Sequence, residues 1–152
     1  MTAHHNTTGA ADYGALLLRL SLGTMYLAHG VLLKWMTFGF AGTASFFESL
    51  GLPAPLAYAT ILAEAVGGVL LILGVQSRWV ALALLPILFG AFWVHAGNGW
   101  GFSAPGGGWE YPLYLIVLSV VQALVGDGAH ALSPSRSLPF FGAAPRTAGQ
   151  PA

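Results

Sequence analysis

The stretch LAYATILAEAVGGVLLILGV, residues 56–75, decides the fold of this chain, and Glu64 is its only charged residue. A helix of this length, at about 1.5 Å per residue, crosses the roughly 30 Å hydrocarbon core of a bilayer. A carboxylate inside that core is costly unless it is protonated, paired or hydrated, and an intramembrane acid therefore indicates a functional site. The sequence predicts a membrane protein with a polar group in its interior.

The composition of the whole chain supports this prediction. Of its 152 residues, 56% are hydrophobic and 7% are charged, and the mean hydropathy is +0.72. In a soluble domain about a quarter of the residues are charged, so an ordinary cytosolic globular domain is excluded. The net charge is zero, which excludes a nucleic-acid-binding surface. The chain contains no cysteine, which excludes disulfides, thiolate metal ligands and a thiol relay carried by the chain itself.

Four apolar segments predict four transmembrane helices: residues 15–33, 56–75, 79–96 and about 109–125. Backbone groups in lipid must be satisfied within the chain, and these runs are too continuous for the alternating strands of a barrel. The predicted fold class is therefore all-α, an integral membrane four-helix bundle. The membrane domain is predicted to span residues 13–132. A flexible cytoplasmic N-terminus, residues 1–12, precedes it, and a disordered cytoplasmic tail, residues 133–152, follows it.

The few positive charges predict the orientation. With four spans, both termini and the turn at residues 76–78 share one side of the membrane, and the opposite side carries Lys34 as its only fixed positive charge. The arginines on or near the side of the termini are Arg19, Arg78, Arg136 and Arg146. The positive-inside rule therefore places both termini in the cytoplasm.

The two outer connections are predicted to lie at the membrane surface. Within residues 34–55, Thr43 or Ser45 is expected to cap a short amphipathic helix that carries Phe46, Phe47 and Leu50. Residues 97–110 combine glycines with tryptophans, a composition that is typical of an aromatic belt at the headgroups. A ligand lid is the alternative for this second connection. Its aromatic residues are Trp100, Phe102 and Trp109.

Ionisable side chains from different spans fall in the outer half of the predicted bundle. They are His29, Glu64, His95 and Glu110. Glu64 would lie roughly 12 Å deep, from its eight-residue offset at about 1.5 Å per residue. Such a set could bind zinc or iron, but no HxxxH or ExxH spacing supports a metal site. A pocket for a quinone head or another small ligand, with histidine, tyrosine and glutamate as proton partners, is the second alternative. The third is a plain interfacial role for the histidines.

Helical periodicity groups some of these residues. Arg19, Gly23, Tyr26 and Gly30 share one face of the first helix, and Glu64, Gly67, Gly68 and Leu71 share one face of the second. The small residues, with Gly90, are expected to let helices approach closely. Arg19 and Glu64 differ in estimated depth by less than ~10 Å, which an arginine stem bridges in part. A buried Arg19–Glu64 pair is therefore a candidate, with either a structural role in helix register or a functional one.

Four stretches, covering about residues 13–132, carry the motifs of one family. They are LLLRLSLGTMYLAHGVLLKW, GTASFFESLGLPAPLAYATILAEAVGGVLLILGVQSRWVALAL, FWVHAGNGW and EYPLYLIVLSVVQALVGDGAHAL. Together they resemble the DoxX family of small bacterial membrane proteins. The resemblance implies a four-helix bundle in the inner (plasma) membrane, multi-pass, and an association with redox enzymes, since the family name derives from a subunit of a thiosulfate:quinone oxidoreductase. Arg19, His29, Glu64 and His95 match the family pattern.

The leading functional hypothesis is an oxidoreductase-associated membrane subunit that acts through a quinone or a redox partner enzyme. The candidate catalytic residues are Glu64, His29 and His95, and the candidate ligand-binding residues are Arg19, Tyr26 and Glu110; no metal ligands are assigned. Quinone is the candidate cofactor. The lipid bilayer, a redox partner protein and a second copy of the chain are the candidate partners.

Two other functions remain open. The first is a non-catalytic membrane scaffold or assembly factor, in which the polar residues only lock the bundle. The second is transport of a small solute or lipid, which the sequence disfavours. The cytoplasmic half of the bundle has few polar groups beyond Arg19, Gln122 and Asp127.

Overall fold

The computed structural model describes residues 9–101 and 103–138, and within them the chain is helical and has no β-strand. Helix α1 (Ala10–Leu27) continues without a break as a π-helix (Ala28–Thr37). It is followed by α2 (Gly39–Ser49), α3 (Ala54–Leu73), α4 (Ser77–His95) with a 3₁₀ turn (Ala96–Asn98), and α5 (Glu110–Val125). The predicted all-α class is confirmed.

Three of these helices are long and apolar enough to cross a membrane: Ala10–Thr37, Ala54–Leu73 and Ser77–Asn98. Helix α5 is also apolar, but it has 16 residues. At about 1.5 Å per residue it extends roughly 24 Å, somewhat less than a hydrocarbon core. We call the end of the bundle at which α1 begins, α3 ends and α5 ends the Arg19 end. The opposite end, where the π-helix ends and α5 begins, is the Lys34 end.

The first helix is longer than its apolar run, which predicted residues 15–33. It begins at Ala10, after Gly9 donates its N–H to the Asp12 carboxylate at 2.9 Å. At its other end the i→i+5 bonds of the π-helix carry it to Thr37, and the Phe38 N–H donates to the Leu33 carbonyl at 2.9 Å. Residues 10–12 of the predicted flexible N-terminus therefore belong to α1, and residues 1–8 lie outside the described part of the chain. Lys34 consequently lies within this helix, not in the following connection.

The short helix of the first connection exists, but its predicted cap is wrong. Helix α2 begins at Gly39, so that Thr43 and Ser45 lie inside it. Thr43 is buried and its hydroxyl donates to the Lys34 carbonyl at 2.8 Å, which attaches α2 to the π-helix. Since π-helical geometry leaves carbonyls without a local partner near the helix end, the Thr43 hydroxyl is used there and not as a cap. Phe46 is exposed.

Glycines bring α1 and α3 into direct backbone contact. A Cβ atom on Gly23 would lie 2.7 Å from the Gly68 carbonyl oxygen, and one on Gly30 would lie 2.8 Å from the Glu64 Cβ. On the other side of α3, a Cβ on Gly67 would collide with Leu84 of α4 at 2.7 Å. These contacts confirm the expected close approach at Gly23, Gly30, Gly67 and Gly68. Gly90 differs, because a Cβ there would meet open space.

The chain beyond α5 folds back over the Arg19 end. The Gln76 N–H donates to the Ser133 carbonyl at 2.8 Å, and the Ser135 N–H donates to the Asp127 carboxylate at 2.8 Å. The predicted disordered tail, residues 133–152, is therefore hydrogen-bonded at its start. Residues 139–152, including Arg146, lie outside the described part of the chain.

A pair of glycine-to-alanine substitutions tests the helix contact. Gly68→Ala forces a methyl group into the Gly23 carbonyl and the Leu27 side chain, and we expect overpacking to lower the free energy of unfolding by about 1–3 kcal/mol. Gly90→Ala makes the same change in a helix with open space around it, and we expect a gain of up to about 1 kcal/mol from helix propensity. Thermal unfolding in detergent measures both. Equal shifts would contradict the contact.

Candidate functional site

Glu64 forms an ion pair with Lys34 inside the bundle. The Lys34 ammonium donates to both carboxylate oxygens, at 2.8 Å to Oε1 and 2.6 Å to Oε2. Glu64 is 4% exposed, whereas the Lys34 side chain keeps 19% of its surface exposed. The buried carboxylate is thus neutralised by a cation that remains accessible from the Lys34 end.

The direction of helical side chains explains why Lys34 is the partner. A side chain on a helix points back toward the N-terminus of that helix, so Lys34 leans toward the level of Gly30. Gly30 is the residue whose backbone contacts Glu64. By the same rule Arg19 leans away from Glu64, toward the beginning of α1. The candidate Arg19–Glu64 pair is therefore wrong.

Arg19 instead holds the opposite end of the bundle together. Its guanidinium donates to four backbone carbonyls: Leu71 at 3.1 Å, Ile72 at 2.6 Å, Asp127 at 2.8 Å and Ala129 at 2.8 Å. It is 1% exposed. Two of these carbonyls belong to the last turn of α3, where a helix leaves its carbonyls unpaired and a cation is favourable. The structure places Arg19 in a structural clamp, apart from the Lys34–Glu64 pair.

Asp127 completes this clamp outside the apolar helices. Its carboxylate accepts the Ser77 N–H at 2.7 Å, at the start of α4, and the N–H and hydroxyl of Ser135 at 2.8 and 3.1 Å. Burial alone would raise the pKa of this carboxyl, but the hydrogen bonds from Ser135 and Ser77 outweigh it and hold the pKa below its usual value. Asp127 is therefore charged and ties α4 to the chain that follows α5.

His29 lies beside the ion pair. Its Nδ1 is 2.9 Å from the Met25 carbonyl, which can only accept, so the hydrogen of this bond is carried by Nδ1. The ring stacks on Tyr111 of α5 with centroids 6.0 Å apart and an interplanar angle of 27°. His29 lies within electrostatic range of the Glu64 carboxylate. The ring thus links the ion pair to the start of α5.

Two hydroxyl groups lie in the apolar core, on the side of Glu64 that faces the Arg19 end. Tyr26 is 0% exposed, lies within electrostatic range of Glu64, and has its hydroxyl beside the Ser119 hydroxyl of α5. Ser119 is also 0% exposed. Neither hydroxyl has a protein partner at hydrogen-bonding distance among the described residues. The structure therefore gathers Glu64, Lys34, His29 and Tyr26 in one polar site, with Ser119 beside it.

His95 and Glu110 belong to a neighbouring region of the Lys34 end. The His95 Nδ1 contacts the carbonyls of Gly106 and Gly107 at 3.0 and 2.9 Å, and the Asn98 amide donates to the same two carbonyls. His95 therefore fastens the connection between α4 and α5. Glu110 is the first residue of α5 and donates its N–H to the Trp100 carbonyl at 3.1 Å. Among the described residues, no three side chains of the metal-ligating types converge on one point.

Lys34 and Ser119 are the members of the site that sequence reasoning missed. Lys34 follows the apolar run 15–33 directly and therefore looked like a loop residue, but the N-terminal lean of helical side chains could have placed it near Gly30. Ser119 carried no comparable signal, because a single serine in an apolar helix usually bonds to its own backbone.

The architecture and the site define the class: the chain is a helical membrane protein with a buried ion pair. The DoxX family model matches residues 14–97, a segment that holds Arg19, His29, Lys34, Glu64 and His95. A relative from Bacillus subtilis (strain 168), "Putative oxidoreductase CatD", is 36% identical over 124 residues, which cover 81% of this chain and 87% of that protein. The chain belongs to the DoxX family. No solved structure matches it.

A double-mutant cycle tests the ion pair. Lys34→Met leaves the Glu64 carboxylate buried without its cation, and we expect the free energy of unfolding to fall by about 3–5 kcal/mol. In Lys34→Met/Glu64→Gln both charges are absent, and we expect a smaller loss than the sum of the two single variants. Glu48→Gln, at an exposed carboxylate of α2, is the matched control and should stay within about 0.5 kcal/mol of the wild type. Strict additivity in chemical or thermal unfolding would contradict a direct pair.

Proposed function

We propose that this chain is the membrane subunit of an oxidoreductase system and that its polar site protonates a quinone. The observation that carries the proposal is the buried Glu64 carboxylate, paired with Lys34 and flanked by His29. Its membership of the DoxX family and the name of its relative from Bacillus subtilis support a redox role. Acidic residues inside the membrane, paired with a cation, occur at proton-handling sites. A bundle that only packs apolar helices does not require such a charge.

The residues of the site have the chemistry that quinone reduction requires. Reduction of a quinone to a quinol takes up two electrons and two protons. We assign the electrons to a redox partner enzyme, because the chain contains no cysteine to carry a thiol–disulfide couple. The Lys34 ammonium can donate a hydrogen bond to a quinone oxygen, and Glu64 can deliver a proton when protonated. His29 lies within electrostatic range of Glu64, and we propose that its ring, after taking up a proton, returns that proton to Glu64.

We further propose a multi-pass arrangement in the inner membrane with both termini in the cytoplasm. The Arg19 end carries Arg19 and Arg78, and Arg136 follows in the chain that folds back over it. The Lys34 end carries Lys34, whose charge is neutralised by Glu64. This asymmetry favours a cytoplasmic Arg19 end under the positive-inside rule. The quinone site would then lie in the outer half of the bundle.

A scaffold or assembly factor is the second candidate function. The observation that favours it is Arg19, a fully buried charge whose guanidinium is bonded to four backbone carbonyls of the bundle. If the Lys34–Glu64 pair has the same purpose, it would set the register of α1 against α3 without binding a substrate. The two functions differ in what Glu64→Gln changes, because a scaffold loses stability but keeps its partner.

Quinone reduction by the purified chain in lipid nanodiscs, together with a candidate partner enzyme, tests the proposal. We expect Glu64→Gln to lower the rate of quinone reduction by about 10²–10⁴-fold, the usual contribution of a general acid, while quinone binding changes little. Glu48→Gln should leave the rate unchanged. If the wild-type chain binds no quinone, and Glu64→Gln lowers the melting temperature but retains the partner in a pull-down, the scaffold function is correct.

A further inference from the structure

Three buried polar atoms of neighbouring side chains on α1 and α5 have no protein partner within hydrogen-bonding geometry among the described residues. They are the hydroxyl oxygens of Tyr26 and Ser119 and the Oε1 of Gln122. Each of the three residues is 0% exposed. Ser119 and Gln122 are one turn apart on α5 and therefore share a face, and Tyr26 of α1 lies beside Ser119.

Unpaired polar atoms in such a core call for a partner. Each one destabilises the fold if it stays unpaired, and buried polar groups in proteins are satisfied with few exceptions. The surrounding side chains Leu22, Leu115 and Ile116 are buried and apolar and offer no hydrogen bonds. Water is the molecule that pairs polar atoms of this kind in protein interiors, typically with three hydrogen bonds.

These polar residues lie between the Glu64 site and the polar clamp of the Arg19 end. Tyr26 is the residue next to the Glu64 site, within electrostatic range of Glu64. Gln122 is the residue next to the Arg19 end. Its amide donates to the carbonyl of Gly126 at 2.6 Å, and Gly126 directly precedes Asp127 of the polar clamp. The polar atoms therefore extend from the buried carboxylate toward the end of the bundle opposite to Lys34.

We propose that Tyr26, Ser119 and Gln122 line an internal, water-bearing path by which Glu64 exchanges its proton with the Arg19 end. A hydroxyl or a water passes a proton by donating one hydrogen while it accepts another, so each carrier ends with its original number of protons. The Gln122 Oε1 accepts and orients the water. This inference goes beyond quinone reduction, because it concerns the protonation of Glu64 with or without a quinone.

The competing route runs through the Lys34 end. The groups that face Glu64 are Lys34, His29 and Tyr26, and all three belong to the first long helix. The partly exposed Lys34 side chain and the His29 ring would both pass protons from that end. The two routes make opposite predictions for substitutions at Tyr26 and Ser119, since neither residue belongs to the Lys34 route.

Infrared measurement of the Glu64 carboxyl group distinguishes the routes. The full chain is reconstituted in nanodiscs at the pH where half of Glu64 is protonated, and the band that Glu64→Gln removes is followed after transfer into D₂O. We expect Tyr26→Phe and Ser119→Ala each to slow deuteration of this band tenfold or more. The matched controls are Tyr114→Phe and Ser21→Ala, which remove the same atoms from exposed side chains and should leave the rate unchanged. Wild-type rates in both core variants would overturn the path.

Melting temperature gives a second measurement that does not depend on kinetics. If water binds the Tyr26 hydroxyl, Tyr26→Phe removes a satisfied hydrogen-bonding group and lowers the melting temperature. A raised melting temperature would mean that the hydroxyl is unpaired in the folded bundle and would overturn the proposal. Gln122→Met, which keeps the length of the side chain, is the further variant if Ser119→Ala fails to fold, and it should slow deuteration in the same way. Failure of quinone reduction in the wild type would leave these expectations unchanged.

Discussion

The buried carboxylate of Glu64 imposes the constraint on which the arrangement of the first two long helices depends. An acid among apolar helices must find a cation within the reach of a side chain. Lys34 meets this requirement because the backbone of α3 lies directly against the first helix, where Gly30 meets Glu64 and Gly23 meets Gly68. A larger residue at either glycine would separate the helices and remove the ammonium from the carboxylate. The glycine contacts and the ion pair are thus one structural unit.

The first long helix uses its two cations in different ways. Arg19 donates to carbonyls of the last turn of α3 and of the chain after α5. Its guanidinium is planar and has several donors, and it therefore suits a junction where several carbonyls meet. Lys34 is a compact charge on a flexible stem and keeps part of its surface accessible. The bundle is therefore locked at the Arg19 end, while the Lys34 end has a charged pair whose cation stays partly exposed.

Hydropathy and periodicity predicted the helical class, the buried face of α1 and the close glycine contacts, because these features depend on local composition. They failed where a hydrogen bond or a side-chain direction decided the outcome. Depth alone paired Glu64 with Arg19, but helical side chains lean toward the N-terminus and the partner is Lys34. The short helix α2 was predicted with Thr43 as its cap, but that hydroxyl bonds to the Lys34 carbonyl. His95 was grouped with Glu64 by depth, whereas its ring holds the carbonyls of Gly106 and Gly107.

The distance between Lys34 and Glu64 tests the central claim most directly. Lys34 is the only lysine of the chain, so ¹⁵N-labelled lysine marks a single side-chain nitrogen without ambiguity. Solid-state NMR in lipid bilayers can then measure its dipolar coupling to the ¹³C-labelled carboxyl carbon of glutamate. We predict a coupling that corresponds to about 3–4 Å, as expected for a hydrogen-bonded ion pair, and its disappearance in Glu64→Gln prepared with the same labels. A wild-type sample without this coupling would contradict the account.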